Sequence, residues 1–255
     1  MRQSLALALC LAGPVAAQDL APEVSPRPED RPAEEAVVVE DAVAKDEALS
    51  PGQGGQRDLL VLAPDEMAAC LAALDDLGVV YREVDPIVPQ DDADCGIVQP
   101  VEVTEIAPGV AVLPAAQVRC PTALSLAEWV RDFVLPASAR LDDRGALTAI
   151  ESGSGYVCRR RNNQPDGKLS EHAFGNAFDV MGFQFAEGPP IKVEPREADG
   201  TMAEAFQDAV RASACLEFST VLGPGSDAFH DDHLHFDIVE RSRGYRLCEQ
   251  GGGAD

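Results

Sequence analysis

The chain has 255 residues, with 44 acidic side chains against 20 basic ones and a formal net charge of −24. A surface this negative repels phosphate backbones, which excludes nucleic acid as an expected partner and reads first as a means of staying soluble. After the first segment, no stretch reaches the ~20 apolar residues that a membrane span requires.

Arg2, an apolar run over residues 5–11 and Pro14-Val15-Ala16-Ala17-Gln18 have the pattern of a secretory signal cleaved after Ala17, so residues 1–17 are expected to be removed and the protein to be periplasmic or secreted. Cys10 makes a poor acylation site, because bulky Leu9 stands where a lipoprotein needs a small residue. Residues 18–57 are rich in Pro, Ala, Glu and Val without helical or strand period. Such a stretch buries too little apolar surface to offset its ordering entropy, and is expected to be a disordered acidic tether.

Residues 58–255 suit one domain, with a small N-terminal subdomain over residues 58–118. Six cysteines remain there: Cys70, Cys95, Cys120, Cys158, Cys215 and Cys248. In an exported chain an even number implies disulfides, and the 15 pairings of six thiols leave only a local preference, for Cys70 with Cys95. A cysteine-ligated metal fails on spacing, since no two cysteines are closer than 25 residues.

Pro64-Asp65-Glu66-Met67 followed by Ala68, Leu71, Leu74 and Leu77 predicts an amphipathic helix, and Val79-Val80-Tyr81 a short strand. Leu126, Trp129, Val130, Phe133 and Val134 recur at helical spacing, with a capping box at Ser125 and Glu128 and an end or kink at Pro136. Trp129 falls on the buried stripe of that helix. Leu147-Thr148-Ala149-Ile150 is strand-like and is broken by Gly153-Ser154-Gly155, glycines read, with Gly175, as turn residues. A third helix starts at Thr201 with Glu204 three residues on. Residues 218–222 and 233–239 look like strands joined across Gly223-Pro224-Gly225. Interspersed helices and hairpin-like links predict an α+β fold, a small antiparallel sheet with flanking helices.

All four histidines lie in two short segments, Ser170-Glu171-His172-Ala173-Phe174-Gly175-Asn176-Ala177-Phe178-Asp179 and His230-Asp231-Asp232-His233-Leu234-His235. Neutral imidazole and carboxylate suit a divalent ion, so His172, Asp179 and one histidine of the second segment can fill three of the four positions of a catalytic Zn2+. Gly175 and Asn176 disfavour one continuous helix through the first segment. A loop bearing His172 that turns into a strand bearing Asp179 fits better. On a strand His233 and His235 share a face, about 6.8 Å apart along the axis. Asp232 and His230 stand near enough to orient a ligand or accept a proton. Arg159, Arg160 and Arg161 are the one run of three basic residues. Strand alternation would put Arg159 and Arg161 on one face, where a substrate carboxylate can be held bidentately.

The first segment resembles the SxHxxGxAxD element, and His233 with His235 the HxH element, of the group that joins lysostaphin-type enzymes, D-Ala-D-Ala metallopeptidases and hedgehog-like domains. Residues 155–161, 170–173 and 230–237 are similar to the bacterial extensin-like C-terminal domain family, over roughly residues 70–248. These resemblances imply a hedgehog/D-Ala-D-Ala-peptidase-like fold, Zn2+ bound by His172, Asp179 and His235, and His233 as catalytic neighbour. The hexapeptide ending at His235 is also similar to penicillin-insensitive murein endopeptidases, which carries a catalytic role to His230. Asp232 stands where many D-Ala-D-Ala peptidases have Glu. The expected activity is zinc-dependent hydrolysis of amide bonds in peptidoglycan stem peptides or cross-links. The alternative is a non-catalytic cell-wall or partner-binding module with a structural or vestigial zinc site.

Overall fold

The computed structural model describes residues 56–249 except 91 and 197–199. The expected signal peptide, and the tether up to residue 55, lie outside the described residues. Gln56–Leu60 form a 3-10 turn, fastened where the Arg57 guanidinium donates to the Cys95 carbonyl.

The first helix, α1 (Pro64–Asp76), starts where expected, with Pro in its first turn and the Glu66 carboxylate accepting from the Ala63 N–H. Its buried stripe is Met67, Cys70 and Leu74, at spacing i, i+3, i+7. Strands β1 (Val80–Glu83), β2 (Pro100–Ala107) and β3 (Val110–Arg119) follow as an antiparallel meander. They belong to the main sheet and form no separate subdomain.

The second helix begins earlier than its capping pattern suggests. α2 (Cys120–Trp129) starts directly from β3, with Pro121 in its first turn, so Ser125 sits mid-helix. A π-helical turn over Val130–Val134 leads into the short α3 (Leu135–Ser138), which carries Pro136 in its first turn and so accommodates the missing N–H. Trp129 is fully buried, its indole N–H on the Val210 carbonyl and its ring edge-on to Phe236.

This helical passage returns the chain to β4 (Leu147–Ser152), which pairs parallel to β3. A parallel neighbour needs a crossover connection, and α2 to α3 supplies it. β5 (Ala177–Phe185) pairs antiparallel with β4, and the two-residue β6 (Ile191–Lys192) pairs with β5. α4 (Met202–Glu217) begins at the expected cap, where the Thr201 hydroxyl accepts from the Glu204 N–H. Then come β7 (Thr220–Leu222), β8 (Leu234–Asp237) and β9 (Leu247–Cys248).

The class is α+β, but the sheet is neither small nor wholly antiparallel. Among the described residues it has nine strands in the order β1-β2-β3-β4-β5-β8-β7-β9, with β6 beside β5, and the β3–β4 and β7–β9 pairs are parallel. Strands of two or three residues, such as β6 and β9, carry too little period to be read from sequence. α2 and α4 pack together and against the sheet, covering Phe178, Val180, Leu234 and Phe236. Side chains alternate across a strand, so the residues between these, Asp179 and His235, face the other way.

Three disulfides close the fold: Cys70–Cys120, Cys95–Cys158 and Cys215–Cys248. The expected Cys70–Cys95 bond is not formed. Cys70 on α1 faces the start of α2, whereas Cys95 lies in a different cluster beside Ala173 and Phe174. No helix among the described residues is long and apolar enough to cross a membrane.

Candidate metal centre

β5 and β8 pair so that Asp179 lies directly opposite His235, with Phe178 opposite Phe236 and Val180 opposite Leu234. Register thus makes the carboxylate and one imidazole cross-strand neighbours on the face away from the helices. The third donor arrives from a loop. Residues Glu171–Phe174 form one 3-10 turn that ends at Gly175 in the left-handed conformation, φ 68°, from which the chain runs into β5. This turn aims His172, which is fully buried, at the pair.

The three side chains meet closely. His172 Nε2 is 3.1 Å from Asp179 Oδ1 and 3.1 Å from His235 Nδ1, which is itself 2.9 Å from Asp179 Oδ1. Their outer atoms are all engaged. His172 Nδ1 is 2.8 Å from the Gly155 carbonyl oxygen, which can only accept, so Nδ1 carries the proton and Nε2 presents a lone pair. Asp179 Oδ2 accepts from the Ser154 hydroxyl at 2.8 Å. His235 Nε2 lies 3.5 Å from Asp237 Oδ2. Each residue therefore offers one inward atom.

This geometry fits a divalent ion. Bonds of about 2.0–2.1 Å in a tetrahedral site put neighbouring ligand atoms roughly 3.3 Å apart, close to the triangle observed. Two nitrogen lone pairs and a carboxylate oxygen converging without a cation repel one another. Protonation of His235 is the alternative relief. Burial pulls its pKa down, but Asp179 and Asp237 outweigh burial and raise it to about 9. Burial likewise pushes Asp179 up, yet the two histidines win and hold it well below the usual carboxylate range.

Glycines make the approach tight. A Cβ on Gly155 would lie 2.6 Å from the Gln117 carbonyl oxygen, and one on Gly153 would lie 2.8 Å from Met181 Sδ and 3.0 Å from Asp179 Cβ. Neither has positive φ, so both serve close packing where a turn was expected. Gly175 alone of the three needs the left-handed conformation.

The other two histidines flank the triad. His230 and His233 lie on the long β7–β8 connection, with His233 directly before β8, not within it. The connection is anchored by Arg211 of α4, whose guanidinium donates to the Pro224 carbonyl and the Ser226 hydroxyl. His233 Nε2 is 3.8 Å from Asp179 Oδ1, and its Nδ1 is 2.8 Å from Asp232 Oδ1. Buried His230 has its Nδ1 2.7 Å from Asp227 Oδ1, and its ring centroid lies 5.2 Å from that of His233 and 5.6 Å from that of His235. Burial lowers the pKa of His230 despite the opposing pull of Asp227, so its imidazole is neutral at pH 7. Asp232 is exposed and holds His233.

The arginine run does not form a strand. Arg160 makes an isolated bridge with Leu169, and Arg161 opens a 3-10 turn. Arg161 Nη2 lies 3.4 Å from Oε1 of buried Glu171, whose pKa burial raises. The Arg159 side chain is half-buried, and its carbonyl accepts from the Ser170 N–H. Asp227, Ser154 and Asp237 were not anticipated from sequence. For Asp237 a signal existed, since it shares the strand face of His235 two residues on.

The extensin-like protein C-terminus family model matches residues 68–249, and so takes in both histidine segments and all six paired cysteines. The chain belongs to this family. No curated protein matches it. Nor does any solved structure. The buried His172–Asp179–His235 group can bind a metal ion, and the three disulfides fit an oxidising compartment.

Proposed function

We propose that this protein is an exported, zinc-dependent peptidase-like enzyme of the periplasm or cell exterior that hydrolyses amide bonds in peptidoglycan stem peptides or cross-links. The observation that carries this reading is the convergence of three inward-facing ligand atoms, from His172, Asp179 and His235, beside two further histidines that are each paired with a carboxylate. A purely structural zinc site closes its fourth position with protein and has no use for such neighbours. A bound divalent ion supplies a Lewis acid that polarises an amide carbonyl and acidifies water.

The chain's own groups divide the remaining work. Neutral His230, its Nδ1–H donated to Asp227, keeps Nε2 free to take a proton from the attacking water and pass it to the leaving amine. His233, its Nδ1–H accepted by Asp232, turns Nε2 toward the centre, 3.8 Å from Asp179 Oδ1, and donates to the developing oxyanion only in its doubly protonated form. Arg161, half exposed beside Glu171, and Arg159 offer cationic anchors for stem-peptide carboxylates in a protein that is otherwise strongly negative.

The test is release of new muropeptide ends from purified peptidoglycan by the zinc-loaded protein, with a chelator control. Replacing His230 by Ala is expected to lower turnover by roughly 10²–10⁴ while zinc affinity stays unchanged. Zinc-loaded wild type that releases no product where a known hydrolase does would favour a wall- or partner-binding module.

A further inference from the structure

His235 is set apart from His172 by how its far nitrogen is held. His172 leans on a backbone carbonyl, whereas His235 Nε2 faces the carboxylate of Asp237, a buried residue at the end of the same strand. Asp237 is itself fixed by three groups on its other oxygen and its carbonyl. Its Oδ1 accepts from the Thr220 hydroxyl at 2.7 Å and the Val239 N–H at 3.1 Å, and its carbonyl accepts from the Ser219 N–H at 2.9 Å, while the Ser219 hydroxyl donates to the Val239 carbonyl at 2.6 Å. Strand register explains the first of these, because Thr220 of β7 pairs with Asp237 of β8. Arg241 closes the array from outside, its guanidinium donating to the Thr220 hydroxyl at 2.6 Å and the Ser219 carbonyl at 2.8 Å.

The orientation of the carboxylate follows from this accounting. Two donors converge on Oδ1, so Oδ2 is the atom left for His235, and a carboxylate oxygen can only accept. The proton of a neutral His235 is thereby drawn to Nε2, and the lone pair is left on Nδ1, the atom that faces His172 and Asp179. Without that partner, the other tautomer and the flipped ring become accessible, and these turn an N–H or a C–H into the centre in place of the lone pair.

We infer that Asp237, clamped by Thr220, Ser219 and Arg241, is a positioning residue that selects the tautomer and ring orientation of His235 and so makes the three-donor centre competent to bind a divalent ion. The inference rests on the metal-binding part of the proposed function, but it assigns a role to four residues outside the three donors.

Asp237→Asn separates positioning from mere support. The Asn oxygen keeps the two donors that held Oδ1, so its NH2 group takes the place of Oδ2 and points a donor at His235 Nε2. That arrangement favours the tautomer with its proton on Nδ1, which blocks the centre. Co2+ is the probe, followed by its visible absorption spectrum and by competition with a chromophoric chelator. Far-UV circular dichroism and thiol titration verify that each variant is folded with its disulfides formed. Asp237→Asn is expected to weaken Co2+ binding by roughly 10–100-fold and to change the absorption envelope, and Thr220→Val, which removes one of two donors, to weaken it less.

If folded Asp237→Asn binds Co2+ with wild-type affinity and spectrum, the positioning role is refuted while the metal centre stands. If the wild type takes up no Co2+, both readings fall together. Should Asp237→Asn not fold, Thr220→Val and Arg241→Ala carry the test, and wild-type binding in both refutes the role.

Discussion

A proton and a metal ion compete for one atom, His235 Nδ1. In the metal-free protein the buried carboxylates of Asp179 and Asp237 raise the pKa of His235 to about 9, so the ring is cationic at pH 7 and its Nδ1–H points at Asp179 Oδ1. The sign of the linkage follows. A histidine whose folded pKa exceeds its unfolded value stabilises the fold fully below about 6.5 and loses that contribution as pH rises through about 9. A divalent ion replaces the proton with a larger positive charge. Binding is therefore expected to release about one proton from this residue near pH 7, and affinity to rise about tenfold per pH unit up to about 9. Isothermal titration calorimetry in buffers of different ionisation enthalpy reads the released proton directly. Heats that do not depend on the buffer would show that the ion leaves His235 protonated, and so that it binds elsewhere.

Two kinds of element build the centre, and they differed in how far they could be read from sequence. Asp179 and His235 sit on strands, where period-2 patterning placed the carboxylate and the histidine on definite faces. The pairing that sets them opposite each other is long-range and left no local trace. His172 depends on a single turn, and that turn depends on Gly175, whose φ of 68° suits glycine and where a Cβ would lie 2.3 Å from Ile97 Cδ1. The Gly175 carbonyl is also held, by the Arg119 N–H and the Thr122 hydroxyl. Gly175→Ala is expected to cost about 1–3 kcal/mol and to lower metal affinity, because relief of the clash must move the His172 turn. Chemical denaturation with and without Zn2+ checks both effects; a variant as stable as wild type would contradict the strain. The same contrast accounts for the rest of the reading. Helices with local caps and periods, α1 and α4, were legible almost to the residue. The start of α2 was not, because a strand feeds directly into it and Ser125 and Glu128 form a local capping pattern that tertiary structure leaves unused. Gly153 and Gly155 resemble turn glycines in sequence, but their reason is the nearness of Met181 and of the β3 backbone.

At the scale of the whole molecule, the disulfides divide between the scaffold and the site. Cys70–Cys120 ties α1 to α2, and Cys215–Cys248 ties α4 to β9, both at the helical layer. Cys95–Cys158 belongs instead to the smaller cluster formed with Ala173 and Phe174 of the His172 turn. Cys158 lies three residues after Gly155, whose carbonyl holds His172, and Gly96 beside Cys95 donates its N–H to the Ala173 carbonyl at 2.8 Å. This bond thus fastens the segment that orients one metal ligand to the segment that supports the turn bearing it. Chain entropy alone hardly distinguishes the two bonds, for separations of 63 and 33 residues correspond to roughly 4.3 and 3.7 kcal/mol. Paired Cys→Ala replacements at either bond are accordingly expected to lower thermal stability by similar amounts. Their effect on the centre should diverge: loss of Cys95–Cys158 weakens Zn2+ binding, whereas loss of Cys215–Cys248 leaves it near wild type in protein that remains folded at the assay temperature. Zn2+ affinities measured at a temperature where melting curves show both variants folded make the comparison. Equal affinities would mean that the His172 turn is held by its own hydrogen bonds and by Gly175, with the disulfide serving the fold alone.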